Sequence, residues 1–331
     1  MSLNISTNTA ALRAGTQLAI NQTHLQKSFD RLASGTKLSS PVDDPGGLAV
    51  SMKLSAAINR ISGAESNVQN AISFMEVQDG MLDSVGKIID RMSELKGLSS
   101  QDPMKSSQDR ASYNNEFKDL QAQLYDIGKM KFNGVSLFAE HKNGGGQAVF
   151  GGATQDPTLD NTLIIFTSSE GAAGSKVSIH KSVLLSALTF NTRDSDDGTV
   201  DGNRESIAYD TVGVNVGTGD ETADINITFA TQSGGNFLNL QDISVGVISQ
   251  ALENVAFLRA QNGGVHSRLA FNAQSLTQQK TNMRAALGRM VDVDIAEETT
   301  NLAKYSVLSQ ASASILAQAN SNTDLALMLL R

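Results

Sequence analysis

Cysteine and tryptophan are absent from this 331-residue chain, proline occurs four times, and aromatic residues make up 5%. Without cysteine there is no disulfide, no thiolate metal site and no cysteine nucleophile. In an extracellular protein the same absence avoids mispairing during export. With so few aromatics the core must be built from Leu, Ile, Val, Ala and Met, which suits long helices better than a thick globular core. The net charge of −8 argues against nucleic acid, which needs concentrated Lys and Arg. No apolar run is long enough to cross a membrane. The opening MSLNISTNTAALRAGTQLAI has neither a basic n-region nor an unbroken apolar h-region, so no cleavable secretory signal is expected. Taken alone, these features suggest a cytoplasmic protein, long enough for two or three domains.

What is present is helical periodicity at both ends. In Arg289 to Arg331, Leu308, Ala311, Ile315, Ala319, Ala326 and Leu330 recur at spacings of three, four or seven, one stripe of a helix. The stripe is narrow and small, and a helix of this kind depends on packing for its stability. Near the start, Ala11, Leu18, Leu25 and Leu32 fall one heptad apart, a seam that faces a partner helix. Arg13, Lys27, Arg31 and Lys37 against Asp30 near the start, and Asp292, Asp294, Glu297, Glu298 and Asp324 against Arg289, Lys304 and Arg331 near the end, make the two ends weakly opposite in sign, which favours their association.

Between them the chain reads helix, strands, helix. Residues 36–47 form a link rich in Ser, Pro and Gly, and Asp44 before Pro45 is a helix start signal. Leu54, Ile58, Ile61, Val68, Ile72, Met75, Leu82, Val85, Ile89 and Met92 predict a heptad-bearing helix over about 45–98, with Glu65 and Asp79 at in-register positions. Tyr113, Phe117, Leu120, Leu124 and Ile127 predict a shorter helix, with Gly128 as its C-cap residue. Asn133-Gly134 predicts a hairpin turn. After the Gly-rich NGGGQAVFGGA, the runs TLIIFTS, SKVSIH, TVGVNV and DINITFAT predict strands. This region is acidic, with nine carboxylates from Asp194 to Asp224, and is expected to face solvent. Helical register returns at Leu240 and runs nearly to the terminal helix, with a bend or break expected at Gly263-Gly264. The fold class is mainly α: a long antiparallel helical bundle or coiled coil formed by both chain ends, with a small β-rich domain inserted in the middle. The expected boundaries are 1–44 with 287–331 for the terminal helices, 45–149 with 236–286 for the bundle and its hairpin, and 150–235 for the insert.

Candidate chemistry is thin. The acidic cluster Asp292, Asp294, Glu297 and Glu298 reads as carboxylates near a helix start, favoured by the macrodipole, rather than as a metal site. DSDDGTVDG fails the register of a calcium loop. His24, His141, His180 and His266 form no HExxH pattern, and no phosphate-loop or GxSxG motif occurs. No enzyme activity, cofactor or metal is therefore expected. Asn226-Ile227-Thr228 is a sequon, read as unglycosylated.

Two stretches carry a resemblance. DVDIAEETTNLAKYSVLSQASASILAQAN with LALMLLR, and SLNISTNTAALRAGTQL with LQKSFDRLASGTKLSSPVDDPGGLAVS, resemble the C- and N-terminal signatures of bacterial flagellin. Together the similar regions cover about two thirds of the chain. SSPVDDPGGLAVS departs from the family's usual SAxDDAAGLAI, and Pro41 and Pro45 are expected to stiffen that link. The resemblance implies a structural filament subunit for motility. It also implies export through the flagellar type III pathway, an extracellular location, and a homopolymer assisted by export chaperone, junction and cap proteins. Assembly residues under this reading are Leu18, Leu25, Leu32, Leu308, Ile315 and Leu330. The terminal segments are expected to leave their seams unburied in the monomer and to order on contact with neighbours. DRMSELKGL and NNEFKDL further resemble stretches recognised by a host Toll-like receptor, implying contacts at Arg91 and Leu95 in the first and Glu116 in the second; in the alternative, Leu95 packs and Arg91 and Glu116 are solvated or paired. Two rivals stay open: a hook–filament junction protein, and a secreted binding or adhesive protein with its function in the insert.

Overall fold

The computed structural model describes residues 8–38, 40–100, 105–139, 150, 162–192, 204–206, 225–233, 237–241 and 243–329. The chain divides into two compact units, residues 1–59 with 279–331 and residues 60–278. TVGVNV, DSDDGTVDG, His141, Leu330 and most of the Gly-rich run lie outside the described residues.

In the first unit, helix α1 (Thr9–Ser34) packs against helix α6 (Ile295–Leu329). Asn8 caps α1, its side chain accepting from the Ala11 N–H at 2.9 Å. Gly35 closes it at φ 70, the left-handed region that glycine adopts at little cost. The Asp294 carboxylate caps α6, accepting from the Ala296 and Glu297 N–H groups at 2.9 and 3.3 Å. Its neighbours Glu297 and Glu298 stand in the first turn, as the macrodipole favours. The two helices run antiparallel: Asn8 Nδ2 donates to the Ala319 carbonyl at one end, and Arg31 faces Glu298 at the other. The segments that follow α1 and precede α6 are tied by backbone hydrogen bonds from Lys37 N–H to Val291 O and from Val293 N–H to Gly35 O.

The α1 seam alternates steps of three and four: Ala11, Ala14, Leu18, Asn21, Leu25, Ser28 and Leu32 are all at least half-buried. The facing α6 seam is Glu298, Leu302, Tyr305, Ser309, Ser312, Leu316 and Ala319. Two expectations are corrected here. The α1 leucines are covered within the same chain, so the terminal seams do find a partner in the monomer. Leu308, Ala311 and Ile315 lie beside the α6 seam rather than in it, and all three are exposed. The reason is that polar side chains with partners occupy seam positions that an apolar pattern search passes over.

The second unit is organised by α2 (Pro45–Ser100) and α5 (Val245–Val291), both of which also contribute residues to the first. Asp44 caps α2 through the Gly47 N–H at 2.9 Å, with Pro45 at the first helical position as expected. The buried α2 seam runs Ile61, Ala64, Val68, Ala71, Met75, Gln78, Leu82, Val85, Ile89 and Met92. Ala64, Ala71 and Gln78 hold the places assigned from sequence to Glu65, Ile72 and Asp79, one residue away in each case. α2 and α5 are antiparallel here, with Asn262 Nδ2 donating to the Met75 carbonyl at 3.0 Å and Arg259 bridging Asp79 and Asp83 at 3.2 and 2.9 Å. Gly263-Gly264 do not interrupt α5, which continues through them as one helix.

Helix α3 (Ser107–Gly128) starts with a reciprocal capping box between Ser106 and Asp109. It ends on Lys129 rather than on Gly128 as cap; Gly128 is instead where Leu185 packs against the helix. The hairpin β1 (Lys131–Phe132) and β2 (Val135–Ser136) turns through Asn133 at φ 49 and Gly134 at φ 81, the two left-handed residues its turn type requires. Strands β3 (Thr162–Phe166) and β4 (Lys176–His180) pair antiparallel. Beyond them a short helix α4 (Leu184–Ala187) leads into β5 (Thr189–Thr192), which is flanked by β6 (Arg204–Ser206) and β7 (Ile225–Thr228). The segments flanking these strands are tied to the long helices: Asn254 of α5 donates to the Ala187 carbonyl of α4, and Thr231 N–H, just beyond β7, to the Gln121 carbonyl of α3.

Candidate self-assembly surface

Pairing α1 with α6 leaves much apolar surface uncovered. Leu12 is 66% exposed, Ile20 49%, Phe29 51%, Val307 65% and Ile315 60%. At about 100° per residue, Leu12, Ile20 and Phe29 leave α1 in three different directions, and Val307 and Ile315 leave α6 in two. One partner helix cannot cover all of them. Single exposed apolar residues are ordinary, but this density on a paired helix marks an interaction surface.

The assembly residues named from sequence fall into two groups. Leu18, Leu25 and Leu32 are half-buried against α6, and Leu308 and Ile315 face outward. The sequence reading passed over Asn21, whose Nδ2 donates to Ser312 Oγ at 2.9 Å and to the Leu308 carbonyl at 3.4 Å. It also passed over the stacking of His24 on Tyr305, with centroids 4.9 Å apart and planes at 18°. The signal was there in the three-and-four spacing, once polar residues are admitted to a seam.

At the other candidate site, Leu95 is fully buried in the second unit. Arg91 Nε donates to Glu116 Oε1 at 2.8 Å, and a terminal guanidinium nitrogen donates to Glu94 at 2.7 Å. Hydrogen bonding to Glu116 first, and then to Glu94, raises the guanidinium above its ordinary pKa. Two charges thus pair at a half-exposed surface above a packed leucine. Elsewhere in the second unit, an apolar groove of about 290 Å³ opens between Phe74 of α2, Phe132 and Val135 of the hairpin, and Ile164 and Phe166 of β3. No group of three or more His, Asp or Glu among the described residues could hold a metal ion, and no described helix is long and apolar enough to cross a membrane.

A chain whose two ends pair into a helical rod still bearing apolar side chains on several sides is a structural subunit made to be packed by others. The family models agree. Residues 5–143 match the bacterial flagellin N-terminal helical region and residues 245–330 the C-terminal helical region. The chain is 28% identical to a flagellin of Bacillus subtilis (strain 168), over 99% of this chain and 100% of the relative. It is likewise 28% identical to flagellin D of Vibrio cholerae, over the whole of both chains. A solved structure of a flagellar hook-associated protein from Vibrio parahaemolyticus shares the fold, with a TM-score of 0.50 and 15% identity over 76% of this chain and all of that one. This chain belongs to the bacterial flagellin family, and it is a structural subunit of the flagellar filament.

Proposed function

We propose that the subunit polymerises through the outward surface of the α1–α6 pair, with Leu12, Ile20, Phe29, Val307, Leu308 and Ile315 buried by several neighbouring copies. The observation that carries this reading is the exposure of large apolar side chains in several directions from helices already paired with each other. Each such side chain, once covered, contributes about 1.5–3 kcal/mol before ordering costs. Leu18, Leu25 and Leu32 act indirectly, by holding the pair together; Leu330 extends the apolar terminus.

In this scheme residues 1–44 and 287–331 line the inside of the filament, residues 45–149 and 236–286 form the surrounding layer, and residues 150–235 face outward. The subunit is exported through the flagellar type III pathway, by resemblance to the family, acts extracellularly, and is a structural protein without enzymatic activity. Export chaperone, junction and cap proteins are its partners, by resemblance to the family. A Toll-like receptor would meet the Arg91–Glu116 pair at the surface, with Leu95 supporting that surface from beneath. A receptor-reporter assay with Arg91→Ala as control tests this contact, and silence from the native chain would refute it.

Seeded polymerisation followed by electron microscopy tests the assembly reading. The intact chain is expected to extend seeds into long filaments, and a chain ending before Leu325 to fail. An intact chain that only caps seeds would overturn the reading.

A further inference from the structure

The apolar part of the α1–α6 seam does not define its own register. Leu18, Leu25 and Leu32 are spaced seven apart, so sliding α1 by one heptad returns leucine to places leucine held. The polar part is not periodic in this way. Asn21, buried mid-helix, donates to Ser312 Oγ at 2.9 Å and to the Leu308 carbonyl at 3.4 Å, and its own oxygen accepts from Gln17 Nε2 at 3.5 Å. Ten residues further on, the Arg31 guanidinium stands 3.7 Å from the Glu298 carboxylate, whose side chain is 8% exposed. Sliding α6 by one heptad replaces Ser312 with Tyr305 or Ala319, and Glu298 with Val291 or Tyr305. In either direction Asn21 loses its Ser312 partner and the buried Glu298 carboxylate loses Arg31 together, a cost that falls on wrong registers alone.

We propose that Asn21–Ser312, seconded by Arg31–Glu298, determines the register of the terminal helix pair and so which outward apolar side chains each subunit offers to its neighbours. A polar residue buried in a helix seam can fix register at a cost in stability. The rival device is the backbone tie between residues 35–37 and 291–293, which holds one end of the pair.

The chain has no cysteine, so two introduced cysteines report one distance. Spin labels on Thr16→Cys and Thr300→Cys, both at exposed positions, are placed in full-length chains copolymerised with excess unlabelled protein. Dipolar spectroscopy then reads the intrachain separation. A one-heptad slip changes it by about 10 Å, seven residues of helical rise. The unaltered seam is expected to show a single distance. Asn21→Leu with Ser312→Leu is expected to add a population displaced by that amount, while the exchanged pair Asn21→Ser with Ser312→Asn keeps the single distance. A double-leucine seam that retains the single distance would show that the backbone tie suffices and overturn the proposal. Should the double-leucine chains fail to enter filaments, the exchanged pair decides. Entry with the single distance supports the proposal, and exclusion or a broadened distance refutes it.

Discussion

A Cβ built on Gly128, in the last turn of α3, lies 2.6 Å from Cδ2 of Leu185 in α4, and Leu185 is itself buried. Gly128→Ala therefore runs against the usual helix preference. Overpacking a buried contact costs about 1–3 kcal/mol. At Gly263 and Gly264 nothing lies within 4 Å of the built Cβ, and the helix is continuous. Alanine there should gain up to about 1 kcal/mol each. Thermal unfolding of the three single variants as monomers should place Gly128→Ala below the parent and the other two above it. The reverse order would contradict the packing described.

Two buried glutamines should respond differently to removal. Gln121 of α3 serves both peptide groups of Leu238, donating to its carbonyl at 2.8 Å and accepting from its N–H at 3.0 Å. Gln121→Leu orphans both, at about 1–3 kcal/mol for each group. Gln78 of α2 makes one such bond, to the Leu137 carbonyl at 2.7 Å, and its own Oε1 has no partner. Gln78→Leu removes an orphan as it creates one, so its cost should be about 1 kcal/mol or less. Urea midpoints that rank Gln78→Leu as the more damaging change would refute this accounting.

These glutamines also mark the limit of what the sequence makes legible. The long helices, their antiparallel pairing and the Asn133-Gly134 hairpin follow from spacing and turn chemistry, because strong periodicity and left-handed residues are local signals. The seam expected at Glu65, Ile72 and Asp79 lies one residue earlier, since from Ile61, Val68 and Met75 the alternating steps can run four then three or three then four, and the burial of Ala64, Ala71 and Gln78 selects the second. A preference for apolar residues likewise places Leu308 and Ile315 in the α6 seam, in place of Ser309 and Ser312. Residues Leu184–Thr192 formed no predicted element because every side chain described there is buried, which erases periodicity. As for the candidate site, the sequence points to the terminal helices, which is where assembly is proposed. Which of their faces stays open depends on the pairing, and that is a tertiary fact.

Acid should act on α3 through its cap. Ser106 donates to the Asp109 carboxylate from its backbone N–H at 3.0 Å and from its hydroxyl at 2.9 Å, and these bonds, the backbone one foremost, lower the Asp109 pKa. A carboxyl whose pKa is lower in the folded chain contributes stability above its unfolded value of about 3.9 and loses it as pH falls through the folded value. Asp109→Asn should therefore melt below the parent at pH 7, with the gap closing as the pH is taken below about 4. A gap that stays constant down to pH 2 would show that the carboxylate contributes nothing through its charge.

The two leucine-type positions on the terminal helices should separate pairing from polymerisation. Ile315 is 60% exposed on α6 and outside the seam. Ile315→Asp places a charge where a neighbouring copy is expected, so seeded growth should stop while the helix content of the free chain stays unchanged. Leu18 is half-buried in the α1 seam between Ala14 and Asn21. Leu18→Asp sets a charge inside the pair itself, where an unpaired carboxylate is costly. This variant should also fail to grow filaments, but with lower terminal helicity by circular dichroism and faster proteolysis of both chain ends. Residues 60–278 form their own unit, so their unfolding should be the same in both variants and the parent. Normal filaments from Ile315→Asp would remove the outward surface from the assembly scheme. Intact terminal helicity in Leu18→Asp would instead show that the α1–α6 pair does not depend on its leucine seam.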